Sequence, residues 1–318
     1  MSEGGVLALS GGIGGAKLAL GLSRVLPAGR LTVVANTGDD FEHLGLGISP
    51  DLDTLMYTLA GLDNPETGWG RRDETWTFMA ALDSLGGETW FKLGDGDLAV
   101  HVERTRRLRQ GERLTAIAHD FCRRLSIGAR LLPMSDDRVR TRLHTSEGWL
   151  EFQEYFVHRR CAPEVREIEF AGVLTAAANP SFLAALADPQ LRAVVICPSN
   201  PFISVEPILA LPGVRTALAE CRAPVLAVSP IIGGRAVKGP TAKMMAELGL
   251  SVSAVTVAQR YRDFLDGFIL DEADAPLAPQ LDMPFTLAKT LMRTLADREA
   301  LARRVLEFAD TLREKPRG

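Results

Sequence analysis

The 318-residue sequence predicts an α/β fold: a Rossmann-like three-layer sandwich on a mainly parallel sheet, with a smaller inserted α+β lobe. Three observations carry that expectation. An apolar run at 6–9 meets a glycine-rich loop at 10–17, and 16–26 continues at helical spacing toward a second apolar run at 31–35. That is strand, tight loop, helix, strand, the opening of a parallel βαβ unit with a right-handed crossover. Buried-type apolar runs return at 193–197 and 223–228, each followed by a turn rich in Pro, Ser, Asn or Gly. Between these halves, 139–143, 148–156 and 167–170 alternate in polarity and carry aromatic residues, which reads as antiparallel strands.

The remaining elements follow in order. Ser49 suits an N-cap and Pro50 a first helical position, so a helix is expected from Pro50 or Asp51 to Leu59. Residues 64–73 are turn-rich, and 74–85 reads as a helix with its apolar face at Trp76, Met79 and Ala80. Helical spacing recurs at 114–125, followed by a strand at 129–133. A polar stretch at 159–164 links the β-rich elements. Later come a helix near 241–247, strands at 252–255 and 267–270 with a helix between them, and a mostly helical, charge-faced run at 287–312. These readings divide the chain into a nucleotide-binding core, 1–135 with 190–318, and an inserted β-rich lobe, 136–189.

Composition narrows the function. Apolar content of 46% supports an ample core. A formal net charge of −4 argues against general nucleic-acid binding. Cys122, Cys161, Cys197 and Cys221 lack CxxC spacing, so neither a zinc site nor a redox pair is supported. The opening residues are too short and polar for a signal peptide, and no stretch is long enough to span a bilayer. A cytoplasmic protein without membrane or nucleic-acid partners is expected.

The densest chemistry lies at 36–54, where Asp39, Asp40, Asp51 and Asp53 fall close together. Such carboxylates raise one another's pKa unless a cation neutralises them. A hard divalent ion, Mg²⁺ above all, suits an all-oxygen set and is commonly shared with a substrate phosphate. A helix start accounts for Asp51 and Asp53, but not for Asp39 and Asp40. The loop with Gly11, Gly12, Gly14, Gly15 and Lys17 resembles a dinucleotide fingerprint whose last glycine is replaced by Lys17. Small residues there let backbone N–H groups approach an anion at a helix N-terminus; a tight strand-to-helix turn is the plain alternative. Ser199 and Asn200, and then Gly233, Gly234, Lys238 and Lys243, follow parallel-type strands at the edge where α/β sheets bind ligands. Lys92 sits beside Trp90 and Phe91, ahead of a Gly-Asp-Gly-Asp turn. Of the histidines, only His43 falls within the acidic segment.

Taken together, Ser-Gly-Gly-x-Gly-Gly-x-Lys, Asn-Thr-Gly-Asp-Asp, Ile-Ser-Pro-Asp-Leu-Asp-Thr, Lys-Leu-Gly-Asp-x-Asp, Leu-Pro-Met-Ser-Asp-Asp, Pro-Ser-Asn-Pro and Ser-Pro-Ile-Ile-Gly-Gly resemble the 2-phospho-L-lactate transferase family of coenzyme F-420 biosynthesis. The resemblance implies a guanylylated three-carbon phospho-acid donor, with phosphoenolpyruvate as the acid in bacteria. It implies 7,8-didemethyl-8-hydroxy-5-deazariboflavin as acceptor, GMP as leaving group, Mg²⁺ as cofactor and a homodimer. Asp53 and Lys92 match family positions that contact the deazaflavin, with His43 and Trp90 as further lining. The catalytic expectation falls on Asp53 and Asp51. The metal expectation falls on Asp39, Asp40, Asp51 and Asp53. The nucleotide and its phosphates would rest on the glycine loop with Lys17, on Ser199 and Asn200, and on Gly233, Gly234, Lys238 and Lys243. A regulatory nucleotide-sugar or dinucleotide binder sharing the glycine loop is the alternative, and it has no need of the aspartates. An NAD-dependent dehydrogenase is disfavoured by the missing third glycine.

Overall fold

Seven parallel strands form the central sheet of the computed structural model, which describes residues 4–313. Numbered along the chain, they are β1 Val6–Ser10, β2 Leu31–Ala35, β3 Arg130–Pro133, β4 Ala193–Ile196, β5 Val225–Val228, β6 Gly267–Asp271 and β7 Phe285–Ala288. Their spatial order is β3-β2-β1-β4-β5-β6-β7. Strand order therefore reverses between β1 and β4, and the connections leaving these two strands part there to open a crevice.

Strand side chains alternate between faces, and the core divides accordingly. Leu7, Leu9, Val34, Val194, Ile196 and Ala227 pack on one face. Val6, Ala8, Val33, Ala35, Val195 and Leu226 pack on the other. The second face is covered by α1 (Ile13–Val25), α2 (Pro50–Ala60) and the helix Leu295–Arg313. The first is covered by short helices between β3 and β6 and by a three-stranded antiparallel sheet. Its strands are Arg140–Thr145, Gly148–Glu151 and Val165–Ala171. Val139, Leu143, Phe152, Tyr155 and Val165 from this region join the same apolar cluster as Leu7 and Leu9.

Several elements differ from the sequence reading. The Gly-Asp-Gly-Asp stretch is not a free turn; it starts a long helix, Asp95–Arg109. The shorter helix ahead of it is Thr77–Ser84, and Trp76 is largely exposed rather than packed. Number these α3 (Thr77–Ser84) and α4 (Asp95–Arg109). The two helices cap each other: Asp95 accepts from the Thr77 and Phe78 N–H groups, and Glu74 accepts from those of Gly96 and Asp97. Residues 252–255 form no strand. The Ser253 side chain accepts from Thr256 N–H and starts the helix Ala254–Arg260, so a cap overrides β-branched propensity. The expected helix at 287–312 begins only at Leu295, because β7 occupies its first residues as the sheet's edge strand. A hairpin, Phe41–His43 with Leu46–Ile48, links Asp40 to α2. After Gly148–Glu151 the chain leaves the extended form for a helical turn at Glu154–His158.

Candidate active site

A cavity of about 830 Å³ opens at the carboxyl ends of the strands. Gly12 comes to it from the loop after β1, Gly14 and Lys17 from the start of α1, Pro198 to Asn200 from the end of β4, and Ser229 and Pro230 from the end of β5. The β1 and β4 loops interlock: Gly11 N–H donates to Ser199 Oγ at 3.1 Å. A Cβ on Gly14 would stand 2.3 Å from the Pro198 carbonyl oxygen, and one on Gly15 would stand 2.1 Å from Ser10 Oγ. The glycines are thus required for close approach, and Gly11 and Gly15 serve packing while Gly12 and Gly14 face the cavity. Lys17 lies half-buried there, its Nζ donating to the Met292 carbonyl. Burial, with Arg298 and Lys238 nearby, makes it a weaker base than a free lysine.

The four aspartates separate into distinct environments. Asp39 and Asp51 line the cavity. Asn36 Nδ2 donates to Asp51 Oδ2 at 2.9 Å and to Asp39 Oδ1 at 3.3 Å, and the Asp51 N–H donates to Asp39 Oδ2 at 3.1 Å. Burial and the neighbouring carboxylates of Asp51 and Asp40 push the Asp39 carboxyl well above its usual range. Burial pushes Asp51 up to about 7. Among the described residues no cationic side chain pairs with either.

Asp40 stands behind them. Its Oδ2 accepts from Ser49 Oγ at 2.8 Å, so Ser49 serves Asp40 instead of capping α2, and its Oδ1 is buried without a partner. Burial raises Asp40 to about 7 against the opposing pull of Arg140. Asp53 is not where the sequence places it. It is 4% exposed, lies outside the cavity lining, and is clasped by both terminal nitrogens of Arg104. On a helix, residues two apart point to different sides; with Asp51 facing the cavity, Asp53 faces α4. Of the four aspartates, only Asp39 and Asp51 line the cavity; Asp53 lies instead beside Asp97 and His101, the acceptor atoms of the three within 4.8 Å of one another.

The far wall is aromatic. Trp90 and Phe91 meet Phe152, Phe156 and His158 around the cavity, with Trp90 and His158 stacked at 5.3 Å. Lys92 lines the cavity on this side. His43 does not reach the cavity; it is buried behind Trp90, edge to face at 5.0 Å, and burial disfavours its charged form. Lys238 lines the opposite rim, where its Nζ donates to the Thr67 carbonyl at 2.9 Å.

Three further expectations are not met. Lys243 points away, bonded to the Pro163 carbonyl and paired with Glu247. Gly233 and Gly234 are the two central residues of a hairpin joining Ile231–Ile232 to Arg235–Ala236, both at positive φ. A two-residue turn of that hand favours glycine for conformational reasons, and neither glycine lines the cavity.

The residues that sequence reasoning missed are Gln153, Tyr57 and the α4 face of Asp97, His101 and Arg104. Gln153 Nε2 donates to the Asp39 carbonyl at 3.2 Å. The α4 spacing of four and then three was a readable signal. It was masked because this helix buries polar residues, leaving no apolar stripe to find.

The arrangement is a crevice at the ligand edge of an α/β sheet, with two carboxylates between a glycine loop and an aromatic wall. Comparison with known proteins agrees. Residues 6–307 match the family model described as "2-phospho-L-lactate transferase CofD". A phosphoenolpyruvate transferase of Streptomyces griseus is 40% identical over 317 residues, covering 97% of this chain and 99% of that one. A 2-phospho-L-lactate transferase of Methanosarcina mazei is 39% identical over 305 residues, covering 95% and 99%. A Bacillus halodurans member of the UPF0052 family, 12% identical, superposes with a TM-score of 0.62 over 95% of this chain and 99% of that one, and shows the shared fold. The chain belongs to the 2-phospho-L-lactate transferase (CofD) family.

Proposed function

We propose that this chain transfers a 2-phospholactyl or phosphoenolpyruvyl group from a guanosine-diphosphate-activated donor to the ribityl hydroxyl of a deazaflavin, releasing GMP. Family membership supports the coarser statement, a CofD-type transfer of a phospho-acid in coenzyme F-420 biosynthesis. The observation that carries the finer one is the Asp39–Asp51 pair: two cavity-lining carboxylates held side by side with no cationic partner among the described residues. Burial of two uncompensated negative charges is costly, and the unpartnered Oδ1 of Asp40 lies directly behind. That donor set fits Mg²⁺, with Asp39 and Asp51 as its holders. When bound, the ion supplies charge neutralisation to the diphosphate and to the departing GMP.

The chain's own residues do the rest. The N–H groups at the start of α1 and the Lys17 ammonium receive the diphosphate. The terminal ribityl oxygen attacks the phosphorus bearing the three-carbon acid, and the bond from that phosphorus to the GMP oxygen breaks. Such transfers rest on positioning more than on covalent help, so the aromatic wall of Trp90, Phe91 and Phe156 matters by holding the planar acceptor. We assign acceptance of the hydroxyl proton to Asp51, the more exposed of the paired carboxylates.

In this reading 136–189 is an inserted lobe that supplies acceptor contacts, and the working protein is a cytoplasmic homodimer. No described helix is long and apolar enough to cross a membrane. The test is incubation of purified protein with the deazaflavin, Mg²⁺ and each guanylylated donor in turn, reading product mass and GMP. Product with one donor, lost on chelation, is expected. No GMP release with any donor, or full activity in excess chelator, overturns the reading. Relatives with either name are about equally similar, at 40% and 39% identity, so the donor's acid is decided by this assay.

A further inference from the structure

Arg104 is the largest fully buried side chain among the described residues, 1% exposed, and it lies outside the cavity. A buried guanidinium is costly unless its donors are engaged. Here they are engaged by Asp53, by the Gly47 carbonyl and by His101 Nδ1 on the same helix, and the first two lead to the paired aspartates. Both terminal nitrogens bond the Asp53 carboxylate on the first turn of α2. Nη1 also donates to the Gly47 carbonyl at 3.3 Å, in the hairpin that runs into Asp51. The next residue of α4 completes the grip, with Gly47 N–H donating to Thr105 Oγ1 at 2.8 Å. One turn along α2, Tyr57 OH donates to Asp97 Oδ1 at 2.5 Å. Residues 47–57 are thus fastened to α4 at both polar atoms of Gly47 and at two successive turns of α2, with Asp51 between the fastenings.

We propose that Arg104 is a positioning residue for this enzyme. It acts through Asp53 and Gly47 to fix the placement of Asp51 against Asp39, and it touches neither donor nor acceptor. The inference rests on the functional reading above for what the aspartates hold, and on geometry alone for the clamp. A lysine keeps the charge but offers no planar fork to bond Asp53 and Gly47 together. A paired replacement, Asp53→Asn with Arg104→Gln, removes both charges while keeping a hydrogen-bonding side chain at each position.

The experiment compares Arg104→Lys and the paired variant with the parent protein. It reads thermal melting, backbone amide hydrogen exchange, Mn²⁺ binding in the presence of GDP, and kcat and KM separately. The expected result for Arg104→Lys is a cooperative melt with exchange faster over 39–53 and unchanged in β1 and β4. Mn²⁺ affinity should fall about tenfold or more, as when a group that orients a metal ligand is lost. kcat should fall by more than KM rises, because a misplaced carboxylate harms the transfer step more than acceptor stacking. A folded Arg104→Lys protein with exchange and Mn²⁺ affinity within about twofold of the parent, well short of that loss, overturns the proposal. Should Arg104→Lys unfold, the folded paired variant decides by the same two readouts. Unfolding of both also counts against it, since Arg104 would then be a core element of the whole fold. If the parent binds no Mn²⁺ with GDP, the functional reading fails, and the exchange data still decide the clamp.

Discussion

Asp51→Asn should make the ligand-free protein more stable at pH 8 while removing its response to divalent cations. The parent carboxyl titrates near 7 instead of 3.8 because it is buried. A carboxyl whose folded pKa lies above its unfolded one binds extra protons on folding, so its contribution falls as pH rises from about 4 to about 7 and stays low above that. At about 1.4 kcal/mol per pKa unit, holding it ionised costs roughly 4 kcal/mol as an upper bound. Asp51 is only partly buried, and solvent screening reduces the expected gain to about 1–2 kcal/mol. The replacement amide keeps an oxygen for the Asn36 Nδ2 bond, so hydrogen bonding is preserved. For a chain of this size that corresponds to a melting point higher by roughly 2–4 °C. As pH falls from about 7 the folded parent takes up its proton and the difference should narrow, closing only below about pH 4, where the unfolded carboxyl is protonated too. Melting curves from pH 5 to 8, with and without Mg²⁺ and GDP, measure each part. A variant that melts below the parent at pH 8, or that gains as much from Mg²⁺ and GDP as the parent does, refutes the account of Asp51 as a strained carboxylate awaiting a cation.

Three other perturbations separate the roles assigned here. Gly12→Ala places a Cβ 2.6 Å from Asp51 Oδ1; displacing that oxygen should cut GMP release about a hundredfold with little change in melting, and retained activity would show that the carboxylate tolerates movement. Gly233→Ala forces a side chain onto a φ of +56° and should cost about 1–2 kcal/mol in stability, with donor affinity unaltered by calorimetry; weakened donor binding would return this turn to the site. Lys92→Ala should raise the acceptor KM more than the donor KM in steady-state assays, and the reverse pattern would mean that the two halves of the cavity have been exchanged.

Much of this protein was legible before its fold was known, for identifiable reasons. The β1-loop-α1-β2 unit was readable because its signals are local: an apolar run, small residues at a turn, helical spacing. The edge strand β7 was not, because half its residues face solvent and its pattern merges with the helix behind it. Helix α4 was hidden by its polar buried face of His101, Arg104 and Thr105. Within the site, Asp39, Asp51, Lys17, Lys92, Trp90, Ser199 and Asn200 were each identified from sequence and do line the cavity. Asp53, expected from its match to a family position, is bonded to Arg104; Lys243, expected from its place after a sheet strand, is bonded to the Pro163 carbonyl and Glu247, and Gly233 and Gly234 form a hairpin turn.

What the sequence determined by itself was the inventory: a glycine loop after the first strand, a dense set of carboxylates after the second, and ligand-edge turns after the fourth and fifth. Residue type and local spacing suffice for that, since turn formation and charge repulsion act over a few residues. Only the tertiary structure decided which carboxylates share the cavity. Asp51 and Asp53 are two positions apart on one helix, and helical rotation sends one toward the glycine loop and the other into the grasp of Arg104, a partner 51 residues away along the chain. No local pattern encodes that pairing, because it depends on which face of α4 packs against α2.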